Sequence, residues 1–124
     1  MNDLSIWRAS CQISYPAAAK IFDKRGEIAS YWQWQLDGKL SEWAISQNRI
    51  TLHDISKTVI LTTGYKNIEV LIDKPRNFKF FSTLATDYIS FSLNLLEVKK
   101  IDMISFRLVY LAERKNFRSL VHNI

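Results

Sequence analysis

Residues 57–63, KTVILTT, are β-branched and apolar and stop at Gly64; residues 67–73, NIEVLID, follow at once and close on Lys74 and Pro75. Two short apolar stretches bounded by turn residues read as neighbouring strands joined by a tight connection. The pattern extends upstream. Residues 31–36, YWQWQL, alternate, and Asp37 and Gly38 follow as a hairpin signal, because both tolerate positive φ. The returning strand runs through Leu40, Trp43 and Ile45, the pair Gln47 and Asn48 makes a second turn, and Ile50 and Leu52 begin a third strand. The middle of the chain is therefore expected to be an antiparallel meander of four or five strands.

Working outward, residues 6–15 alternate strictly, with Trp7, Ala9, Cys11, Ile13 and Tyr15 on one face of a half-buried strand. Pro16 suits the first turn of a helix, Ala17 to Phe22 are good helix formers, and Gly26 reads as its stop or kink. Residues 77–97 carry two patterns. Phe78, Phe81, Leu84, Ala85, Tyr88, Ser92, Leu95 and Leu96 fit a helical stripe with Asn77 as N-cap, while Ile89, Phe91, Leu93 and Leu95 alternate like a strand. The length of the run without Gly or Pro favours the helix, since strands are seldom so long. Residues 101–111 then form a long strand, and 116–124 a helix with Phe117, Leu120, Val121 and Ile124 inward. The predicted class is α+β: a mostly antiparallel meander sheet with helices on one face, in the order β-α-β-β-β-β-β-α-β-α.

A chain of 124 residues with 48% hydrophobic and 23% charged residues supports a single folded domain and argues against disorder. The lone Cys11 excludes an intrachain disulfide and, with no signal-peptide pattern and no long apolar span, points to the cytoplasm. The net charge of +5 is uneven: residues 1–62 hold seven Lys/Arg against six Asp/Glu, and residues 63–124 hold ten against six. Such a bias either attracts phosphate backbones or simply keeps a surface solvated. The chain ends at Ile124 without a polar tail, so it is expected to be the N-terminal part of a longer protein.

Three stretches carry a resemblance: ISYPAAAKIFDKRGEIASYW at 13–32, WAISQNRITLHD at 43–54 with TGYKNIEVLIDKPRNFKFF at 63–81, and KKIDMISFRLVYL at 99–111. The chain resembles the N-terminal domain of a sporadically distributed family of uncharacterised bacterial proteins. The third stretch is similar to that family's Arg-centred strand, with Ser105 where a glycine is usual. The resemblance implies a fold and a longer parent protein, and it implies no activity.

Several chemistries lack their residues. Gly26, Gly38 and Gly64 stand alone, so no phosphate-cradling loop is present, and no nucleophile elbow supports a catalytic triad. His53 and His122 without nearby cysteine do not make a zinc site, and Cys11 on the apolar face reads as a small core residue. No cofactor is implied. Asp87, Glu97 and Lys99 have the residue types of a metal-dependent nuclease, but a helix over 77–96 would misplace them.

The remaining candidates concern partners. Arg107 shares a strand face with Met103, Ser105, Val109 and Leu111, and such a partly buried guanidinium takes either a structural carboxylate or a partner's anion. Trp32 and Trp34 share a face with Trp43 across the expected hairpin, reading either as core packing or as a binding surface. Lys74, Arg76 and Lys79, interleaved with Phe78, Phe80 and Phe81, read either as the start of the long helix or as a basic-aromatic platform for nucleic acid. The leading expectation is a non-catalytic domain that binds a protein partner or itself. A basic nucleic-acid-binding module is the alternative, a metal-dependent nuclease the second alternative, and membrane insertion is not expected.

Overall fold

The computed structural model describes residues 4–112. Six strands and two helices follow one another as β1 (Leu4–Ser14), α1 (Ile21–Trp32), β2 (Glu42–Ser46), β3 (Arg49–His53), β4 (Val59–Gly64), β5 (Asn67–Asp73), α2 (Phe78–Leu95) and β6 (Met103–Ala112). The strands make one sheet in the order β2-β3-β4-β5-β1-β6, and every neighbouring pair is antiparallel. This is an α+β fold with both helices on one face. The helix predicted over 116–124 lies outside the described residues.

Alternation along each strand divides the sheet into a helix side and an outer side. On the helix side, one row of paired residues crosses all six strands: Trp43, Leu52, Leu61, Val70, Cys11 and Phe106. The next row is Ile45, Ile50, Thr63, Ile68, Ile13 and Ile104. The inner members of these rows pack beneath Ile21, Ile28, Ala29 and Trp32 of α1 and Phe81, Leu84, Ala85, Tyr88 and Ile89 of α2. Helix α1 lies against β3, and α2 against β5 and β1. Among the described residues the helix layer reaches the two edge strands only in part: Arg25 of α1 donates to the Ser46 carbonyl at the end of β2, and Phe78 and Phe81 of α2 touch Phe106 of β6.

Thr63 is the polar exception within an apolar row. Its hydroxyl lies 2.5 Å from the Tyr88 hydroxyl and 3.0 Å from that of Ser92, all buried. Tyr88 and Ser92 are four residues apart, so one face of α2 presents both to the sheet. Burial pushes the Tyr88 phenol well up. Tyr15, just beyond β1, donates to the Gly64 carbonyl at 2.6 Å, tying β1 to the β4–β5 turn. Asn77 caps α2 as expected, its side-chain oxygen accepting from the Phe80 amide at 2.7 Å.

The region 16–40 departs from its expected course. Gly26 does not stop the first helix but lies inside α1, which begins at Ile21 and continues through Trp32. A helical interior glycine costs about 1 kcal/mol, and here the apolar stripe Ile21, Ile28, Ala29 and Trp32 outweighs it by burying against the sheet and α2. The alternating Tyr31 to Leu36 is consequently not a strand. Asp37 and Gly38 form a single left-handed turn with Leu36, at φ of 57°, 74° and 54°, rather than the tip of a hairpin. The meander has four strands, β2 to β5, because residues 31–36 belong to α1 and the turn after it. No helix among the described residues is long and apolar enough to cross a membrane.

Candidate functional site

Both ends of the sheet carry exposed apolar side chains, although the most exposed of all, Ile55 and Trp34, lie in turns. All five residues of β2, Glu42–Ser46, are exposed, and so are the first five of β6, residues 103–107. Because α1 and α2 sit mainly over the inner strands, the terminal members of both helix-side rows stand about half in solvent. Trp43 is 52% and Ile45 44% exposed on β2; Phe106 is 52% and Ile104 64% exposed on β6. Phe106 is anchored at its inner side, edge-on to Phe78 with ring centroids 6.0 Å apart and tilted against Phe81 at 5.8 Å.

On the outer side, the row beginning at Glu42 runs through His53, Ile60, Leu71 and Ser10 to Arg107. Arg107 was expected to leave a partly buried surface, taking either a structural carboxylate or a partner's anion. It is instead exposed, because no element among the described residues covers this side of the sheet. The ion pairs among the described residues are Arg8–Asp73, Lys20–Glu97, Lys24–Glu27 and Lys100–Asp102, and neither Glu42 nor Arg107 takes part in them. Edge strands usually carry lysine or proline that discourages further pairing. Neither β2 (EWAIS) nor β6 (MISFRLVYLA) contains either residue.

The three tryptophans grouped in the sequence separate in the structure. Trp32 is core, 4% exposed and edge-on to Tyr88 and Phe91. Trp34 lies in the turn after α1 and is 75% exposed, while Trp43 lies on the β2 edge. They do not share a strand face, because Tyr31 and Trp32 belong to α1. The residues missed in the sequence are Glu42, Ile45, Ile104 and Phe106. Their chemistry is visible there, but their position at the row ends depends on pairing register, which has no local signature.

The basic residues divide between the two ends of α2. Lys74 and Arg76 line a cavity of about 300 Å³ with Lys39, Asp37, Asp54 and Asp73, and Lys79 is exposed nearby on the first turn of α2. The Arg76 guanidinium sits 4.5 Å from the centre of the Phe80 ring. Two of the three aspartates are engaged. Asp73 accepts from Arg8 at 2.6 Å, and Asp54 accepts from the backbone amides of Thr58 and Val59 at 2.7 and 3.2 Å and from the Thr58 hydroxyl. Burial alone would raise the Asp54 carboxyl, but these hydrogen bonds outweigh it and hold the group below its ordinary range. Lys99 and Lys100 follow the other end of α2, about 27 Å away at 1.5 Å per residue.

Asp87, Glu97 and Lys99 are not brought together. Asp87 lies on α2 and faces a groove of about 490 Å³ beside Tyr31 and Phe91, which stack with centroids 4.5 Å apart. Glu97 pairs with Lys20, whose hydrogen bond and charge hold its carboxyl below the ordinary range. No cluster of three or more His, Cys, Asp or Glu side chains that could hold a metal occurs among the described residues. Cys11 is half-buried, and burial raises its thiol. In comparisons with known proteins, no family model, no curated protein and no solved structure matches the chain.

Proposed function

We propose that this chain is a non-catalytic interaction domain that binds protein through the edges of its sheet. The observation that carries the reading is the state of β2 and β6: among the described residues both strands end the sheet, both are exposed over five consecutive residues, and both present apolar side chains on the helix side. An edge strand offers a row of backbone donors and acceptors, and a partner strand that pairs with it gains main-chain hydrogen bonds while alternate side chains supply specificity. Exposed tryptophan and phenylalanine are the residue types that dominate interface energetics. The lone Cys11 is in keeping with a cytoplasmic setting, and the family resemblance is in keeping with a bacterial module of a longer protein.

The test is capture of partners on the immobilised chain, with cross-linking to locate the contact, using the wild type and the variants Trp43→Asp and Phe106→Asp. The reading expects captured protein cross-linked at residues 42–46 or 103–107 and lost in at least one variant. Capture that both variants leave unchanged, or cross-links confined to the outer face or the helices, contradicts it.

A nucleic-acid-binding module is the second reading, and the Arg76–Phe80 stack beside Lys74 and Lys79 is what favours it. The aspartates in the same cavity and the distance to Lys99 and Lys100 weigh against a continuous phosphate track. This reading expects affinity for single- and double-stranded probes to fall by orders of magnitude between about 50 and 200 mM salt. Absence of binding at the lower salt removes it.

A further inference from the structure

The two edges of the sheet are complementary to each other. Every neighbouring pair in the sheet is antiparallel and the number of strands is six. With an even count, a strand added antiparallel to β6 runs in the direction of β2. A second copy can therefore offer its own β2 at that edge in unchanged orientation, with its helices on the same side.

The register follows from the rows. The row that ends at Phe106 begins at Trp43, and the row that ends at Ile104 begins at Ile45. Continuing both rows into a second copy sets its Trp43 beside Phe106 and its Ile45 beside Ile104, all on the helix side. On the outer side the same register sets its Glu42 beside Arg107, its Ala44 beside Ser105 and its Ser46 beside Met103. All ten of these positions are exposed.

Charge selects this arrangement. Glu42 is the only charged residue of β2 and Arg107 the only one of β6, and neither has an ionic partner among the described residues. Two-fold pairing of β6 with β6, or of β2 with β2, never brings Glu42 to Arg107. Opposite charges and aromatic pairs directly across a ladder each stabilise it by some tenths of a kcal/mol to about 1 kcal/mol.

We propose that the chain associates head to tail with further copies of itself, β2 of one copy adding to β6 of the next in the register Trp43–Phe106, Ile45–Ile104 and Glu42–Arg107. The proposal rests on the reading of the sheet edges as protein-binding surfaces and names the partner. Such an interface is heterologous, so each complex retains a free β2 and a free β6 and growth continues past the dimer, into a ring where the geometry closes and an open chain where it does not.

The test uses the full-length chain, its mass followed by light scattering as concentration rises. The wild type is expected to exceed the mass of a dimer. Glu42→Arg and Arg107→Glu are each expected to weaken association by about tenfold or more, since like charges then oppose one another, and the double reversal to restore it to within about threefold. In a Cys11→Ser background, Ala44→Cys with Ser105→Cys is expected to give a ladder of disulfide-linked species on a non-reducing gel, and neither single substitution to do so. A double reversal that restores nothing, a mass that stops at the dimer, or dimers cross-linked by Ser105→Cys alone overturns the proposal. So does a monomer at every concentration; in that case the wider reading is decided by the capture experiment, which does not depend on self-association.

Discussion

Trp43 and Phe106 stand at opposite ends of one row of side chains that crosses all six strands, and both are about half exposed. The four residues between them lie beneath the helices or at their margin. A row continuous in register yet unfinished at both ends is what a sheet looks like when its helix layer is narrower than the sheet itself. Here α1 and α2 account for the inner strands, and the edges remain as surface.

The tryptophans should separate sharply in stability. Trp32→Ala removes a buried ring packed against Tyr88 and Phe91 and should cost about 3–5 kcal/mol. Trp34→Ala, at an exposed turn, should stay within about 0.5 kcal/mol of wild type. Denaturant midpoints measured well below any association threshold compare the two; equal losses would contradict the placement of Trp32 in α1.

Gly26→Ala should stabilise the chain by about 0.5–1 kcal/mol. Gly26 is exposed inside α1, and an added Cβ meets no atom within 4 Å. Alanine gains helix propensity there and restricts the unfolded chain. Thermal unfolding reads the change. A loss of stability would place Gly26 at a left-handed helix end instead.

Thr63→Val should cost about 1–3 kcal/mol, because it keeps the shape of the side chain but leaves the Tyr88 and Ser92 hydroxyls buried with fewer partners. Adding Tyr88→Phe should cost less than it does alone, since the group it would orphan is already gone. A double-mutant cycle in urea measures the coupling, and strict additivity would mean that the three hydroxyls do not act together.

Asp54 gives a pH dependence of known sign. Its carboxyl is held below the ordinary range in the folded state, so its contribution is fully present above the unfolded carboxylate value near about 3.9. That contribution fades as pH falls through the lower folded value. The stability gap between wild type and Asp54→Ala should therefore be wide at pH 7 and narrow progressively below about pH 4. A gap that widens on acidification would reverse the assignment.

Much of the architecture was legible because alternation and helical periodicity act over short range. The strands β3, β4 and β5, the Asn77 cap and the switch from strand to helix at Phe78 all rest on local signals of that kind. The failure at residues 20–36 has a tertiary cause. Tyr31, Trp32, Gln33 and Trp34 alternate as a strand would, but Trp32 completes a buried stripe that begins eleven residues earlier, at Ile21, and packing against α2 decided the outcome. The candidate surface was half legible. Trp43 and Arg107 could be singled out by residue type, whereas their partners in the rows required the register of every strand between them. The exposure of Arg107 was not legible, because alternation identifies two faces without saying which one the helices cover.

The central claim, that both sheet edges are unpaired in the isolated chain and become paired on binding protein, is tested most directly by backbone amide hydrogen exchange. Exchange at residues 42–46 and 103–107 would be compared in dilute protein and at high concentration or with a captured partner. The account predicts fast exchange at both edges in the dilute chain, slow exchange in β4 and β5 throughout, and slowing at one or both edges on association. Edges as protected as β4 in the dilute chain, or association that leaves both edges unchanged, would contradict it.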